Sequence, residues 1–322
     1  MPNIQSSPVR LVADIGGTNA RFAMFVDSDA TLINQRSLPC EQYSGPVEAI
    51  EAYLQEISGP RPREIAMAVA TAVICDRVKL TNNHWDFSII ESRQALGVDR
   101  LVMLNDFTAL AMSLPYLTQS QLRQVGGGQS VANTAIGVIG PGTGLGVSGL
   151  LPSKHGWVPI EGEGPHASFS PGNEREVEIL RIVWREFPHV SAERLISGIG
   201  MDPLYRAIAE MSGKPGPAPD PATITARALD GSDLICRDVM NTFCAMFGTA
   251  AANLAVTLGA RGGIYIGGGI IPRLGEFFDR SPFRERFEAK GRFSDYLKAI
   301  PTKIILAEYP ALTGAAQALL RN

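Results

Sequence analysis

The chain has 322 residues, 45% of them hydrophobic and 19% charged, which fits two ordinary soluble domains with a substantial core. A formal net charge of −3 excludes nucleic acid and an anionic membrane surface as main partners, because both call for a basic face. Cys40, Cys75, Cys236 and Cys244 are scattered without a C-x-x-C pair. That argues against a disulfide framework or a zinc site and for a reducing, cytoplasmic setting. No apolar run approaches the ~20 residues of a spanning helix, and the segment Met1 to Ser7 lacks the charged region of a signal peptide.

Residues 11–26 open the chain as strand, tight turn, strand, with apolar residues on both sides of Gly16-Gly17-Thr18-Asn19 and Asp14 inside the first strand near the turn. Residues 46–57 have helical spacing with Pro46 at the first position, and Gly59-Pro60 ends them. The continuous apolar run 65–70 reads as a central strand. The polar loop Thr81-Asn82-Asn83-His84-Trp85 precedes a second helical stretch around 90–96. Next, Leu101-Val102-Met103-Leu104 stops at Asn105-Asp106, and Phe107, Leu110, Ala111 and Leu114 then follow helical spacing. Asn105 and Asp106 therefore belong at the C-terminal end of a buried strand, the edge where open α/β sheets bind ligands. Either residue could equally serve as a helix cap. Strands alternating with helices indicate an α/β unit.

A second unit opens at Ala135 and repeats the first pattern, with Gly140-Pro141-Gly142-Thr143-Gly144 as its turn, as expected of a duplicated fold. This loop lacks the Lys-Ser or Lys-Thr of a P-loop and leads into a strand, not a helix. Glu161-Gly162-Glu163-Gly164-Pro165-His166 sets two acids and a histidine in a loop too glycine-rich for regular structure. Asn173 with Glu176 has the spacing of a capping box for a helix to about Phe187. Ser191 to Gly200 follows, and residues 214–221 are too rich in proline for regular structure. The longest helical stretch, about 235–258, is apolar on most faces and closed by Gly259. Gly263 to Arg273 reads as strand, Gly267-Gly268-Gly269 turn, helix start. A last strand at 304–306 and a helix from Pro310 to Leu320 complete the chain.

Three glycine clusters thus follow strands. Such turns expose backbone N–H groups and let phosphate oxygens approach the main chain, and two matched hairpins point to nucleotide phosphates. Asp14 beside the first turn suits a Mg²⁺ ion held through water.

These motifs together resemble the bacterial glucokinase family. Asp14-Ile15-Gly16-Gly17-Thr18-Asn19-Ala20-Arg21 is similar to its first phosphate motif, and Gly142-Thr143-Gly144-Leu145-Gly146 to its second. Leu104-Asn105-Asp106-Phe107 resembles its catalytic segment, and Gly162-Glu163-Gly164 with His166 its sugar loop. Ser191-Ala192-Glu193-Arg194, Gly267-Gly268-Gly269-Ile270 with Pro272-Arg273, and Gly291-Arg292-Phe293 extend the match in order along the chain. Glu161 and Pro165 depart from the family's Pro-Gly-Glu-Gly-Gly-His loop, and the cysteine-rich zinc motif of the other prokaryotic sugar-kinase group is absent.

The resemblance implies an α/β, two-domain actin-like ATPase (hexokinase-type) fold with a cleft between a small domain, 1–115 plus 301–322, and a large domain, 116–300. It implies that both the last strand and the last helix return to the small domain. It further implies ATP-dependent phosphorylation of glucose at the 6-hydroxyl, with Mg²⁺, by a cytoplasmic homodimer. Asn105, Asp106, Glu163, His166 and Glu193 are the implied sugar ligands, with Asp106 as catalytic base. Gly16, Gly17, Thr18, Asn19, Gly142, Thr143, Gly144, Gly267, Gly268 and Gly269 would hold the nucleotide. On this reading Asp106 is a base of near-normal pKa, which works because the 6-hydroxyl acidifies as its oxygen bonds to phosphorus. A kinase for another hexose, or a sugar or nucleotide sensor without catalysis, are the alternatives.

Overall fold

The computed structural model describes residues 9–25 and 31–321, so Met1 to Ser7 and Val26 lie outside the described residues. The chain divides into two compact units, Met1–Thr118 with Ala307–Asn322, and Gln119–Leu306.

In the first unit, β1 (Arg10–Ile15), β2 (Asn19–Phe25) and β3 (Ile33–Pro39) form an antiparallel meander. Helix α1 (Pro46–Ile57) leads to β4 (Glu64–Val69), which pairs parallel with β1. A small hairpin of β5 (Arg77–Lys79) and β6 (Asp86–Ser88) follows, then α2 (Ile89–Leu96), β7 (Arg100–Asn105) and α3 (Asp106–Ser113). The sheet order is β3-β2-β1-β4-β7, so the apolar run ending in Val69 is a central strand, as its composition predicts. Leu11, Ala13 and Ile15 alternate onto one face, in a core with Ile50, Tyr53 and Trp85.

The C-terminal helix (Pro310–Leu320) lies against α3, β4 and β1. Gly314 makes this possible, because a Cβ there would overlap the carbonyl of Ala109 on α3. At the far end of that helix Arg100 donates to the carbonyls of Leu319 and Arg321, each at 3.1 Å, and so satisfies acceptors that a helix terminus leaves open. The start of α3, and with it Asp106, thus rests on a packed and capped base.

In the second unit, β8 (Leu122–Val125) precedes a meander of β9 (Ile136–Pro141), β10 (Leu145–Ser153) and β11 (Gly156–Ile160). Helices α4 (Glu174–Val183), α5 (Met201–Met211), α6 (Pro221–Asp230) and α7 (Leu234–Leu258) come next. Asn173 caps α4, its Oδ1 accepting from the Glu176 N–H at 2.9 Å, as the capping-box spacing predicts. Then come β12 (Ile264–Ile266), the short helices α8 (Ile270–Leu274), α9 (Glu276–Arg280), α10 (Phe283–Glu288) and α11 (Ser294–Lys298), and β13 (Thr302–Ile305). The order β11-β10-β9-β12-β13-β8 repeats the meander plus two parallel strands of the first sheet, so the duplication expected from the two hairpins is present in the topology.

Two expectations need correction. The last strand does not join the first unit: β13 pairs parallel with β12 and antiparallel with β8, and Ile304 is fully buried in the second core. Only the C-terminal helix returns. Also, α7 is long and apolar enough to cross a membrane by length and composition. About two thirds of its apolar stretch is buried inside the structure, against α5, α6 and α10, which accounts for the apolar character as core packing.

Candidate active site

The two hairpin turns, the Asn105-Asp106 strand end, the Gly162 to His166 loop, Glu193 and the Gly267 to Gly269 turn supply the candidate residues, and each unit carries its own group. In the first unit, six residues of β1 pair with β2 in a register that sets Asp14 opposite Arg21. The guanidinium donates to Asp14 Oδ2 at 3.1 Å, and its other side lies over the ring of Tyr309 at 5.3 Å, just before the C-terminal helix. Burial raises the Asp14 pKa, and the Arg21 charge and hydrogen bond oppose that rise. Arg21 was not singled out for a role from the sequence. Its place was countable all the same, because in a tight hairpin the residues flanking the turn pair outward in sequence.

The turn itself is held from outside. Gly16 N–H donates to Asn19 O at 3.0 Å, and Cys40 N–H donates to Thr18 O at 2.8 Å. Gly17 sits so near the Asn82 backbone that an added Cβ would lie 2.8 Å from its carbonyl oxygen. Asn83 Nδ2 reaches Gly16 O at 3.4 Å, while its Oδ1 accepts from Trp85 N–H at 3.1 Å. Buried Trp85 in turn donates to Tyr43 O at 2.9 Å. The Thr81 to Trp85 loop is therefore the brace of the first turn. Thr18 is exposed at its tip.

At the end of β7 the cap is Asn105, not Asp106. Asn105 Oδ1 accepts from Phe107 N–H at 2.9 Å and Thr108 N–H at 3.2 Å, which leaves its amide nitrogen, 3.4 Å from Thr71 O, as the group available to a ligand. Asp106 is the first residue of α3, accepts from Phe107 N–H at 2.9 Å, and is only partly exposed. Burial pushes its pKa up to about 7, the Asp14 charge adds to the rise, and the Phe107 N–H opposes it. The expected near-normal pKa is thus corrected: the carboxylate sits where a general base for neutral pH is wanted.

In the second unit, the Gly142 to Gly144 turn joins β9 and β10, with Gly142 N–H bonded to Gly144 O at 2.8 Å. Glu193 reaches under it and accepts from Leu145 N–H through Oε2 at 2.8 Å. Gly144 has no room for a Cβ because that carboxylate occupies the space. Glu193 Oε1 lies 3.9 Å from His166 Nδ1, and His166 Nε2 lies 3.6 Å from Glu163 Oε2. Glu163, His166 and Glu193 therefore converge, although residues 163 and 193 are far apart in sequence. Pro165 does not disturb the group. It is buried in the turn of 3₁₀ helix Gly164–His166, and its carbonyl accepts from Glu193 N–H at 3.1 Å.

The third glycine cluster is mainly a packing device. Gly268 has φ +77, and a Cβ on it would overlap the Pro141 carbonyl, so the ends of β12 and β9 meet backbone to backbone. Gly269 faces open space before α8. Among the described residues, no group of three or more His, Cys, Asp or Glu side chains is arranged to hold a metal. A single carboxylate still fits Mg²⁺, which keeps several waters and takes phosphate oxygens for the rest of its shell, and Asp14 has Oδ1 free of the Arg21 bond for that role.

The chain as a whole is similar to known proteins. The glucokinase family profile matches residues 11–322. A glucokinase of Aromatoleum aromaticum is 50% identical over 311 residues, covering 96% of this chain and 94% of the relative. The crystal structure of a glucokinase from an Antarctic psychrotroph superposes with a TM-score of 0.88 at 35% identity, over 98% of this chain and 99% of that one. A hexokinase of the ROK family from Thermus thermophilus shares the fold at 19% identity, with a TM-score of 0.67 over 96% of this chain and 97% of its own. The actin-like ATPase architecture inferred from the motifs is that of these neighbours, and the chain belongs to the glucokinase family.

Proposed function

We propose that the chain transfers the γ-phosphoryl group of ATP to the 6-hydroxyl of D-glucose, with Asp106 as general base. The observation that carries this reading is the state of Asp106: its helix-capping duty is taken by Asn105, and its pKa is held near 7. In the reaction the 6-oxygen bonds to the γ-phosphorus as the bond to the β-phosphate oxygen breaks and ADP leaves. The hydroxyl proton goes to Asp106. Base catalysis of this type contributes ~10²–10⁴-fold, and positioning and charge neutralisation supply the rest.

Glu163, His166 and Glu193 suit sugar recognition because each carboxylate accepts from two neighbouring hydroxyls and the imidazole both donates and accepts. Asn105 would contribute its amide N–H groups, its oxygen being committed to the cap. The turns at Gly16, Gly17, Thr18 and Asn19 and at Gly142, Thr143 and Gly144, with Gly267, Gly268 and Gly269, would hold the nucleotide phosphates through backbone N–H groups. Asp14 would hold Mg²⁺ through water, and the ion's chemistry there is to neutralise phosphate charge. A cytoplasmic homodimer belongs to the same reading. The test is ATP-dependent phosphorylation across glucose, fructose, mannose and N-acetylglucosamine in a coupled assay. Glucose should lead by about tenfold or more in kcat/KM; equal or better turnover of another hexose overturns the glucose assignment.

A further inference from the structure

Within the second unit, one short segment carries both the sugar acid and the anchors of the glycine turn. Gly198 N–H donates to Gly142 O at 2.8 Å, Ile199 N–H donates to Thr143 O at 3.2 Å, and Glu193 Oε2 accepts from Leu145 N–H at 2.8 Å. Three polar groups in and beside the Gly142 to Gly144 turn are therefore satisfied by residues 193–199. That segment is itself firm. Ser197 is fully buried, donates to Glu193 O at 2.7 Å and accepts from Gly200 N–H at 3.0 Å, and Leu195 and Ile196 lie in the core. The contacts of Glu193 are unequal. Its Oε2 is bonded to the turn, while its Oε1 stands 3.9 Å from His166, beyond hydrogen-bond reach. The carboxylate is fixed toward the phosphate turn and loose toward the sugar loop.

We infer that Glu193 couples the two substrates: a sugar hydroxyl bonded to Oε1 immobilises the carboxylate whose Oε2 holds Leu145 N–H, and so orders the turn that receives the nucleotide phosphates. Gly144 is a positioning residue in this device, because only the missing Cβ lets the Glu193 carboxylate reach the turn. The inference rests on the proposed glucokinase reading and adds a direction to it. Glucose tightens nucleotide binding, and by linkage the nucleotide tightens glucose binding by the same factor. Ordering that is completed by the first ligand is not required again of the second.

The test is calorimetric titration of the full chain with AMP-PNP and magnesium chloride, without and with saturating glucose. In the unaltered chain glucose should lower the nucleotide Kd by roughly 5-fold or more, the lower end of typical couplings. In Gly144→Ala the new methyl displaces the carboxylate, and the ratio should fall toward one. A merely structural fault would weaken nucleotide binding equally with and without glucose and leave the ratio unchanged. Glu193→Asp, one methylene shorter, should lose coupling in the same way, and serves if the Gly144 variant does not fold. A ratio of one in the unaltered chain, or an unaltered ratio in the variants, overturns the inference alone. Failure of glucose to bind at all overturns the glucokinase reading together with it.

Discussion

Replacing Asp106 by Asn separates the chemical role of this residue from its structural one. The amide keeps the shape of the carboxylate. The helix cap stays in place, since it is Asn105 that accepts from Phe107 and Thr108. One favourable charge at the start of α3 is lost, worth about 0.3–1 kcal/mol. Against it, a charge held in a partly buried position near Asp14 is removed. The sign follows by linkage. The folded-state pKa of Asp106, about 7, lies above the unfolded value of 3.8, so the folded chain binds this proton more tightly. The group therefore lowers stability as pH rises from about 4 to about 7, and the Asn variant should be at least as stable as the parent at pH 8. Turnover behaves oppositely. Loss of the base should cut kcat by ~10²–10⁴-fold, about 3–5 kcal/mol of barrier, with glucose affinity retained. Because a base must be ionised, kcat/KM of the parent should fall about tenfold per pH step below pH 7. The residual activity of the variant should lack that acid limb. A coupled assay from pH 5.5 to 8.5, with glucose titrations and urea unfolding on both proteins, reads all three quantities. A kcat within tenfold of the parent, or an unchanged acid limb in the variant, refutes the assignment.

Other outcomes follow from the same geometry. Asn105→Ala leaves Thr108 N–H without its acceptor and Phe107 N–H with the Asp106 carboxylate alone, so it should cost about 1 kcal/mol in urea unfolding and lower kcat by loosening the turn that carries Asp106; unchanged stability would mean that the cap contributes nothing. Cys75 is exposed, whereas Cys40, Cys236 and Cys244 are buried, with Cys236 pushed by burial up to about 11 and Cys244 to about 12. An aromatic disulfide reagent at pH 8 should therefore release one equivalent from the folded chain and four in denaturant. More than one fast equivalent in the folded state would contradict this burial pattern.

Much of the local architecture was legible in the residue pattern because it depends on neighbours in sequence. The helix from Pro310, the Asn173 cap, the long apolar helix closed by Gly259, and both glycine hairpins follow from periodicity and turn chemistry alone. The ambiguity at Asn105-Asp106 had a different source. Both residue types cap helices, and only the folded geometry shows that the Asn105 oxygen accepts from both Phe107 and Thr108 N–H while Asp106 accepts from Phe107 N–H alone. The resemblance places the last strand in the first unit, and nothing in its few apolar residues chooses between the sheets; pairing with β12 on one side and β8 on the other sets it inside the second sheet.

By itself, then, the amino-acid sequence determined the elements around the glycine turns and the Asn105-Asp106 strand end, the duplicated hairpin pattern and the family, since these rest on local periodicity and on motifs met in order. Tertiary structure decided the surroundings of the candidate site residues. The raised pKa of Asp106 needs burial and the nearby Asp14 charge, and the partnership of Glu193 with Leu145 and His166 joins residues far apart in sequence. Burial and electrostatic proximity depend on the three-dimensional surroundings of a group, and no spacing rule along a single chain encodes them.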